Sequence, residues 1–588
     1  MKNKFRLVIL LTFCLIPMLL LGQGKPYEGP EDPAGDPAIE REGFMNGNRF
    51  RMLFNNNTQL ADWPRRDATK WPDDYSGTKL VDVCCVLIGA EVYVTQDSIP
   101  VTDLGQVAAL AASGQIDTLY FIESADYIGG GHAVDLNWNQ TVEWALSPVP
   151  GYCDLTQDFP AMSNKEDSWP YAWPATGFQT KWPGEWNGRF GRGIKYADLE
   201  CYFVANDAQD LEYIVDRNSG AAQNLISDGP KYYPRPGVFV GDFSRQGFET
   251  TTQVGFPWGG LGLRVEVRGY QWNNPESRDI IFWEYNIANI SDYDLPTCGF
   301  GYWIDPSIGG DTGGDSESGF FDKLIDLTYI WEETGIGGGG LPTGVIGTAY
   351  LESPGNPNDH IDNDDDGLLN EKRDNEAGEI IGATEGIYDM QKFLDFYNYE
   401  PEELHAHYAG DEDQDWKDGV DLNDNGVYAY FDTEAGVWRP EPGENANDDV
   451  GLDGVGPLDL NYNGPDEGEC NHRPDYKIGV GCEPNFNATD VNESDMIGLT
   501  AQALMDYGTM SPGYNIDKDK NVWRLMNSNA FSTFVASSYI FEYFASAQFP
   551  FYQGTVERIS TAMLAAYEEL APLNSEYSAP NLFKKKQN

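Results

Sequence analysis

Leu263-Arg264-Val265-Glu266-Val267-Arg268 alternates apolar and charged side chains without a break. Successive side chains of an extended chain point to opposite faces, so this stretch predicts a strand with one face in a core and the other polar. The run extends over residues 261–272, and residues 279–290 and 298–304 follow as aromatic-rich segments of strand length. Residues 48–53, 80–94, 117–122 and 141–147 are further β-rich runs bounded by turn residues, the pattern of antiparallel sheet. Residues 539–544 and 555–566 read as strands that close a core with the earlier ones. Long amphipathic helices are scarce, and a helix or two is expected between residues 384 and 408, with Pro401 in a first turn. The expected fold is mainly β, an antiparallel β-sandwich carrying an Asp-rich, loop-dominated calcium-binding insertion.

Lys2, Lys4 and Arg6 precede the apolar run 7–21, which is short for a membrane span and reads as a signal peptide over residues 1–22. The expected protein is therefore secreted, extracellular or held at the outer cell surface, with no transmembrane segment after cleavage. Residues 23–42, rich in Pro, Gly and acid, read as a flexible leader. Residues 43–350 are expected to form the sandwich, 351–500 the acidic insertion, and 501–588 the completing strands and a tail.

With 94 Asp and Glu against 38 Lys and Arg, the formal charge is -56, which argues against nucleic acid and anionic membrane surfaces as partners and favours cations. Residues 359–495 hold 38 of the acids and seven of the bases. Carboxylates about 4 Å apart repel by roughly 4 kcal/mol at an effective dielectric of about 20, so a compact fold in this segment gains from bound cations.

The acids of that segment are also ordered. Asp421-Leu422-Asn423-Asp424-Asn425-Gly426 places oxygen side chains at every second residue before a glycine, which suits a calcium loop in which Val427 offers its carbonyl and Asp432 stands at position twelve. Asp459, Asn461 and Asn463 repeat the spacing, with Glu467 or Glu469 completing the shell because Cys470 occupies position twelve. A third loop offers Asp362, Asp364, Asp366 and Asn370, with Arg373 at position twelve and Glu371 or Asp374 as substitutes. Asp411, Asp413 and Asp415 alternate just upstream of the first loop. Asp, Asn and Gly are also the ordinary residues of tight turns, but three such loops in one segment point to Ca2+. Magnesium demands a stricter shell, and transition metals favour imidazole or thiolate.

No GxSxG, HExxH, phosphate loop or Cys/His zinc spacing is present. The Gly-rich stretches 309–314 and 337–340 read as loops. Cys84 and Cys85 read as small buried hydrophobes, and Cys470 with Cys482 is the first choice for a disulfide. Trp63, Trp71, Trp169, Trp173 and Trp182 each precede a proline, which suggests rigid loops packing an indole onto a sheet or, on the sharper reading, a sugar-binding stripe. His405 and His407 read as a surface pair, and Glu284 is the carboxylate to inspect for glycan hydrolysis.

Val265-Glu266-Val267-Arg268-Gly269-Tyr270-Gln271-Trp272, Asp279-Ile280-Ile281-Phe282 and Tyr302-Trp303-Ile304-Asp305-Pro306, with the 362–367 loop and residues 493–500, resemble a group of uncharacterised large secreted bacterial proteins. The resemblance implies export and an extracellular β-rich architecture, often continued by fibronectin-like modules and a type IX secretion sorting domain. No such sorting domain is recognisable before residue 588, and the group supplies no catalytic residue to carry over. The expected role is a calcium-stabilised structural or adhesive protein without catalytic activity, partnered by calcium ions, extracellular glycans or other surface proteins. The competing expectation is a glycan-binding module or glycoside hydrolase acting on extracellular polysaccharide.

Overall fold

The computed structural model describes residues 25–125, 146–174, 182–183, 197–207, 232–236, 258–310, 316–355, 360–369, 379–409, 414–477, 481–484, 498–506 and 519–587, apart from short gaps at 28, 31, 63–64, 66, 324, 361, 363–365, 460–461 and 533. The expected signal segment lies outside these residues. In chain order the strands are β1 (Lys25–Pro26), β2 (Glu42–Met45), β3 (Arg51–Asn55), β4 (Thr69–Lys70), β5 (Val81–Thr95), β6 (Ile116–Glu123), β7 (Leu146–Pro148), β8 (Leu199–Asp207), β9 (Leu263–Gln271) and β10 (Ile280–Asn289). They continue with β11 (Leu295–Pro306), β12 (Glu317–Asp322), β13 (Leu327–Glu332), β14 (Val345–Glu352), β15 (Ile380–Ile381), β16 (His407–Tyr408), β17 (Ala429–Asp432) and β18 (Val437–Pro440). The last are β19 (Tyr476–Lys477), β20 (Gly481–Cys482), β21 (Leu499–Asp506), β22 (Phe534–Ser538), β23 (Ile540–Ser546), β24 (Phe549–Phe551) and β25 (Thr555–Ala566).

The fold is mainly β and antiparallel. Among the described residues one sheet runs β22-β12-β13-β14-β25-β10-β9-β8-β7 with β1 on β25, and a second runs β21-β23-β11-β5-β6 with β24 on β11. The long late strand β25 lies between β14 and β10, and β23 pairs with β11, so the chain leaves both sheets after β14 and re-enters them at β21. The alternation that predicted β9 is realised: Leu263, Val265 and Val267 are fully buried in the principal core, which also takes Val86, Phe300, Tyr302 and Phe544 from the second sheet. One apolar core shared by two antiparallel sheets is consistent with a sandwich. Across it the Tyr302 hydroxyl donates to the Tyr285 hydroxyl, and Gln502 Nε2 donates to Thr328 Oγ1 at 3.0 Å.

The outer faces are covered as well. Helix α1 (Leu104–Ser113) is capped by Asp103, and α2 (Met390–Tyr397) lies in the acidic segment where helix was expected, whereas Pro401 stands in a turn. Helix α3 (Asp519–Met526) lays Trp523 against Gly89 of β5 and holds the Ile122 amide with its Asp519 carboxylate, which explains why β5 is buried on both faces through Ala90. Helices α4 (Leu570–Glu576) and α5 (Pro580–Gln587) bury Leu573 and Leu582 with Tyr329 and Trp331 of the first sheet. Over β8, Trp169, Trp173 and Trp182 pack with Tyr202, each indole about as close as 5.6 Å to its neighbour. Packing onto the sheet, rather than an open stripe, is the arrangement of these three; Trp63 lies outside the described residues.

Residues 23–42 were expected to be a flexible leader, but where described they are bound down. β1 pairs with β25, Asp36 is fully buried, and Asp32 forms an ion pair with Arg264 at 2.8 Å. A buried carboxylate needs a cation or amide donors, and the polar face of β9 supplies the cation. The expected strand at 141–147 appears as β7, its first five residues lying outside the described set.

Glu542 of β23 is 1% exposed, with Oε1 lacking a hydrogen-bond partner. Burial pushes its pKa from 4.5 up to about 7, against the opposing hydrogen bonds of Thr328 and Thr348. Below 4.5 the group is protonated in folded and unfolded chains alike; as pH rises toward 7 only the unfolded chain ionises, so stability is lost across that window. The stability gap between wild type and Glu542→Gln is therefore expected to change by roughly 3 kcal/mol between about pH 4 and about pH 8 in urea unfolding, with the variant gaining as pH rises. A gap that does not vary with pH would contradict this assignment.

Candidate metal centre

The acidic segment is held together less by apolar packing than by carboxylates that accept backbone amides. Asp449, fully buried, accepts from the Tyr428 hydroxyl at 2.5 Å and from the amides of His472 and Asn471 at 3.0 and 3.2 Å. Glu483 accepts from Gly451 and Asp475 at 2.9 and 2.8 Å, and burial, with Asp449 and Asp475 adding repulsion, pushes it up to about 9.

The first loop closes on Asp421. Its carboxylate accepts from the amides of Gly426 at 2.8 Å, Asn423 at 3.2 Å and Asn425 at 3.4 Å, and these amides, Gly426 foremost, hold it below the usual carboxylate range. Gly426 has φ 78°, the left-handed turn that the glycine was expected to permit. Asn423 donates to Glu444 at 2.8 Å, and Asn425 Oδ1 accepts the Val427 amide at 3.0 Å. Asp432 is engaged in the β17–β18 hairpin, accepting from Glu434 and Ala435 amides and pairing with Arg439 at 2.7 Å. Glu444, not Asp432, is the acid that touches this loop; the hairpin brings it back, and no spacing rule marks it.

In the 362–367 loop, Asp366 is fully buried, accepting from the Leu368 amide at 2.8 Å and the Tyr397 hydroxyl at 2.7 Å. Burial pushes its pKa up, and the neighbouring charge of Asp362 adds to that. Asp362 has a side chain 5% exposed; Oδ2 pairs with Lys392 Nζ at 2.9 Å and Oδ1 has no partner. Helix α2 builds this corner: Asp389 caps it, and Lys392 and Tyr397 project from it. Asp364 and Asn370 lie outside the described residues, as do Asp411, Asp413 and Asn461. Asp415 is half-buried beside the buried Trp416.

In the last loop Asp459 is exposed, accepting the Gly456 amide at 2.8 Å, and Asn463 and Glu467 are exposed. Of the two acids expected to complete this loop it is Glu469, not Glu467, that turns inward, and it is joined by Asp466. Asp466 accepts the Asp453 amide at 3.0 Å, Glu469 accepts the Tyr462 hydroxyl at 2.6 Å, and Asp466 Oδ1 and Glu469 Oε2 are buried without partners. Burial, then the charges of Asp466 and Asp453, push Glu469 up to about 7. Among the described residues, however, no three His, Cys, Asp or Glu side chains converge as a ready-made metal cage.

Cys470 is a free thiol, its Sγ 3.8 Å from Asp421, so the expected bridge to Cys482 is not formed; Cys470 sits in a left-handed turn at φ 63°. Cys84 and Cys85 are fully buried, as small hydrophobes would be. His407 corrects the expected surface pair: it is 4% exposed, with Nδ1 3.2 Å from the His405 carbonyl. Glu284 lies in a cross-strand network with Asn286 at 3.2 Å and Arg558 at 3.9 Å. No helix among the described residues is long and apolar enough to cross a membrane. Compared with known proteins, the chain matches no family model and no curated sequence.

Proposed function

We propose that the chain is an exported, calcium-stabilised β-sandwich protein with a structural or adhesive role at the cell surface, and that its acidic segment is an insertion whose loops take Ca2+. The observation that carries this reading is the set of buried carboxylate oxygens without partners, Asp362 Oδ1, Asp466 Oδ1 and Glu469 Oε2, each beside a second acid. An unpartnered buried carboxylate oxygen is costly, and all-oxygen donors with irregular spacing suit calcium. Asp362 and Asp366 would hold one ion, Asp466 and Glu469 another, and Asp421 with Asn423 and Asn425 a third. Bound calcium supplies positive charge that ties like-charged loops together.

Calorimetry of the full chain tests the reading. A site that binds only the folded state adds about 2.7 kcal/mol when free calcium is a hundredfold above Kd. Chelation is expected to lower the melting temperature and added calcium to restore it, and the combined Asp366→Asn and Glu469→Gln variant is expected to lose most of that response. A melting temperature that ignores calcium removes the metal from the proposal.

A further inference from the structure

The chain carries fewer than one base for every two acids, yet one cleft reverses the ratio. It has a volume of about 430 Å³, and its charged lining is Arg49, Arg278, Lys584 and Lys585 against Asp279 and Glu276, with Trp71 and Tyr567 as aromatic walls. We propose that this cleft binds an anionic sugar residue, a pyranose bearing a carboxylate or sulfate, as a unit of an acidic extracellular polysaccharide. The inference deepens the adhesive part of the proposed role by naming its ligand class, and it does not depend on calcium.

The cleft is built from distant parts of the chain. Asp279, the residue just before β10, is 3% exposed and serves as the cleft's anchor. Trp71 Nε1 donates to its Oδ1 at 2.8 Å, Arg49 Nη1 lies 3.0 Å from the same oxygen, and Lys585 of α5 reaches Oδ2 at 2.6 Å. One buried carboxylate thereby fixes two cations and an indole in place, and fixed donors lose little freedom when a ligand arrives. Arg278 reaches Asp279 only at 4.0 Å and is 47% exposed, so its guanidinium fork faces water and is suited to a planar carboxylate or a sulfate. Lys584 adds a second exposed cation.

The aromatic wall argues for a ring rather than a bare ion. Tyr567 lies 4.6 Å from Trp71, centroid to centroid, and is 39% exposed, so it offers an apolar face beside the charges. Apolar surface with a few placed polar groups, in a cleft of this size, is the composition of a small-ligand site. The overall negative charge does not forbid it, because exposed charges farther away than about 8 Å are largely screened at physiological ionic strength.

Isothermal titration of the full chain, in chelator so that no calcium bridge forms, decides the matter with galacturonate, galactose 6-sulfate, neutral galactose and inorganic sulfate. The two anionic sugars are expected to bind with Kd on the order of 1 mM, the value a ligand of about 13 to 16 heavy atoms reaches at typical ligand efficiency. Whichever is tighter identifies the source of the charge. Arg278→Gln with Lys584→Gln is expected to weaken binding about tenfold without shifting the melting temperature, since neither residue anchors Asp279 closely. Tyr567→Ala should weaken both sugars and leave sulfate unaffected. Galactose binding as well as galacturonate, sulfate binding as well as either anionic sugar, or an unaffected double variant would each overturn the proposal. Absence of binding by both sugars would also overturn it while leaving the calcium response of the melting temperature intact.

Discussion

Arg264→Ala is expected to cost about 3–5 kcal/mol of folding stability, because it removes the cation from a buried network and leaves a carboxylate uncompensated. The guanidinium is 4% exposed; Nε lies 2.8 Å from Asp32, Nη2 donates to the Tyr152 hydroxyl at 3.0 Å, and Glu266 is 3.4 Å away. Tyr152 in turn donates to Asp32 at 2.9 Å, so Arg264 closes a three-membered arrangement whose carboxylate has no exposed surface. Burial works against ionisation of Glu266, yet the charges of Arg268 and Arg264 and the Tyr202 hydroxyl hold its pKa below the usual range, so it stays an anion in need of the same cations. Replacing both partners by apolar residues, Arg264→Met with Asp32→Leu, should recover much of the loss, because the penalty comes from the orphaned charge rather than from the pair. Urea unfolding of the two variants reads both effects. A single-variant loss below about 1 kcal/mol would place the network among solvent-screened surface pairs instead.

The second large effect is expected in the core. Trp283 of β10 is fully buried, stands opposite Gly269 of β9 in the register, and lies 6.0 Å from the ring of Phe54. A Cβ on residue 269 would come within 2.7 Å of the indole, so the glycine makes the space that the indole fills. Trp283→Ala is expected to cost about 3–5 kcal/mol through lost burial and the cavity left behind. The indole Nε1 has no hydrogen-bond partner, so Trp283→Phe keeps most of the packing, surrenders no hydrogen bond, and should cost less than half as much. Equal losses for the two variants would mean that the nitrogen makes an interaction this account lacks.

Both effects sit on β9 and β10, the strands whose pattern is plainest in the chain, and they show where a pattern stops being informative. Leu263, Val265 and Val267 are inside, as their spacing predicts. Arg264, Glu266 and Arg268 occupy the opposite face, as predicted, but that face is covered by residue 32 of the leader and by Tyr152 and Tyr202. In the acidic segment the turn around Asp421 was legible because its amides come from residues two to five positions away. Glu469 was named as one of two acids able to complete the last loop, but Glu444, Asp453 and Asp466 were missed because hairpins and long turns, not periodicity, set who meets them. Position twelve could not show that Asp432 belongs to the β17–β18 hairpin, a local structure that engages its carboxylate.

The identity of β5, β6, β9, β10, β11, β23 and β25, the antiparallel class and the turn at Gly426 were determined by the sequence alone, since they depend on side-chain alternation and on contacts within a few residues, whereas β8, β12, β13, β14, β21 and β22 were not read from it. Tertiary structure alone decided what lies over the outer faces of the sheets, which acids become neighbours, and that Arg49, Asp279 and Lys585 should meet in one cleft. Those outcomes depend on contacts between residues hundreds of positions apart, and a charged side chain at a given position reads the same whether water or another segment comes to rest on it.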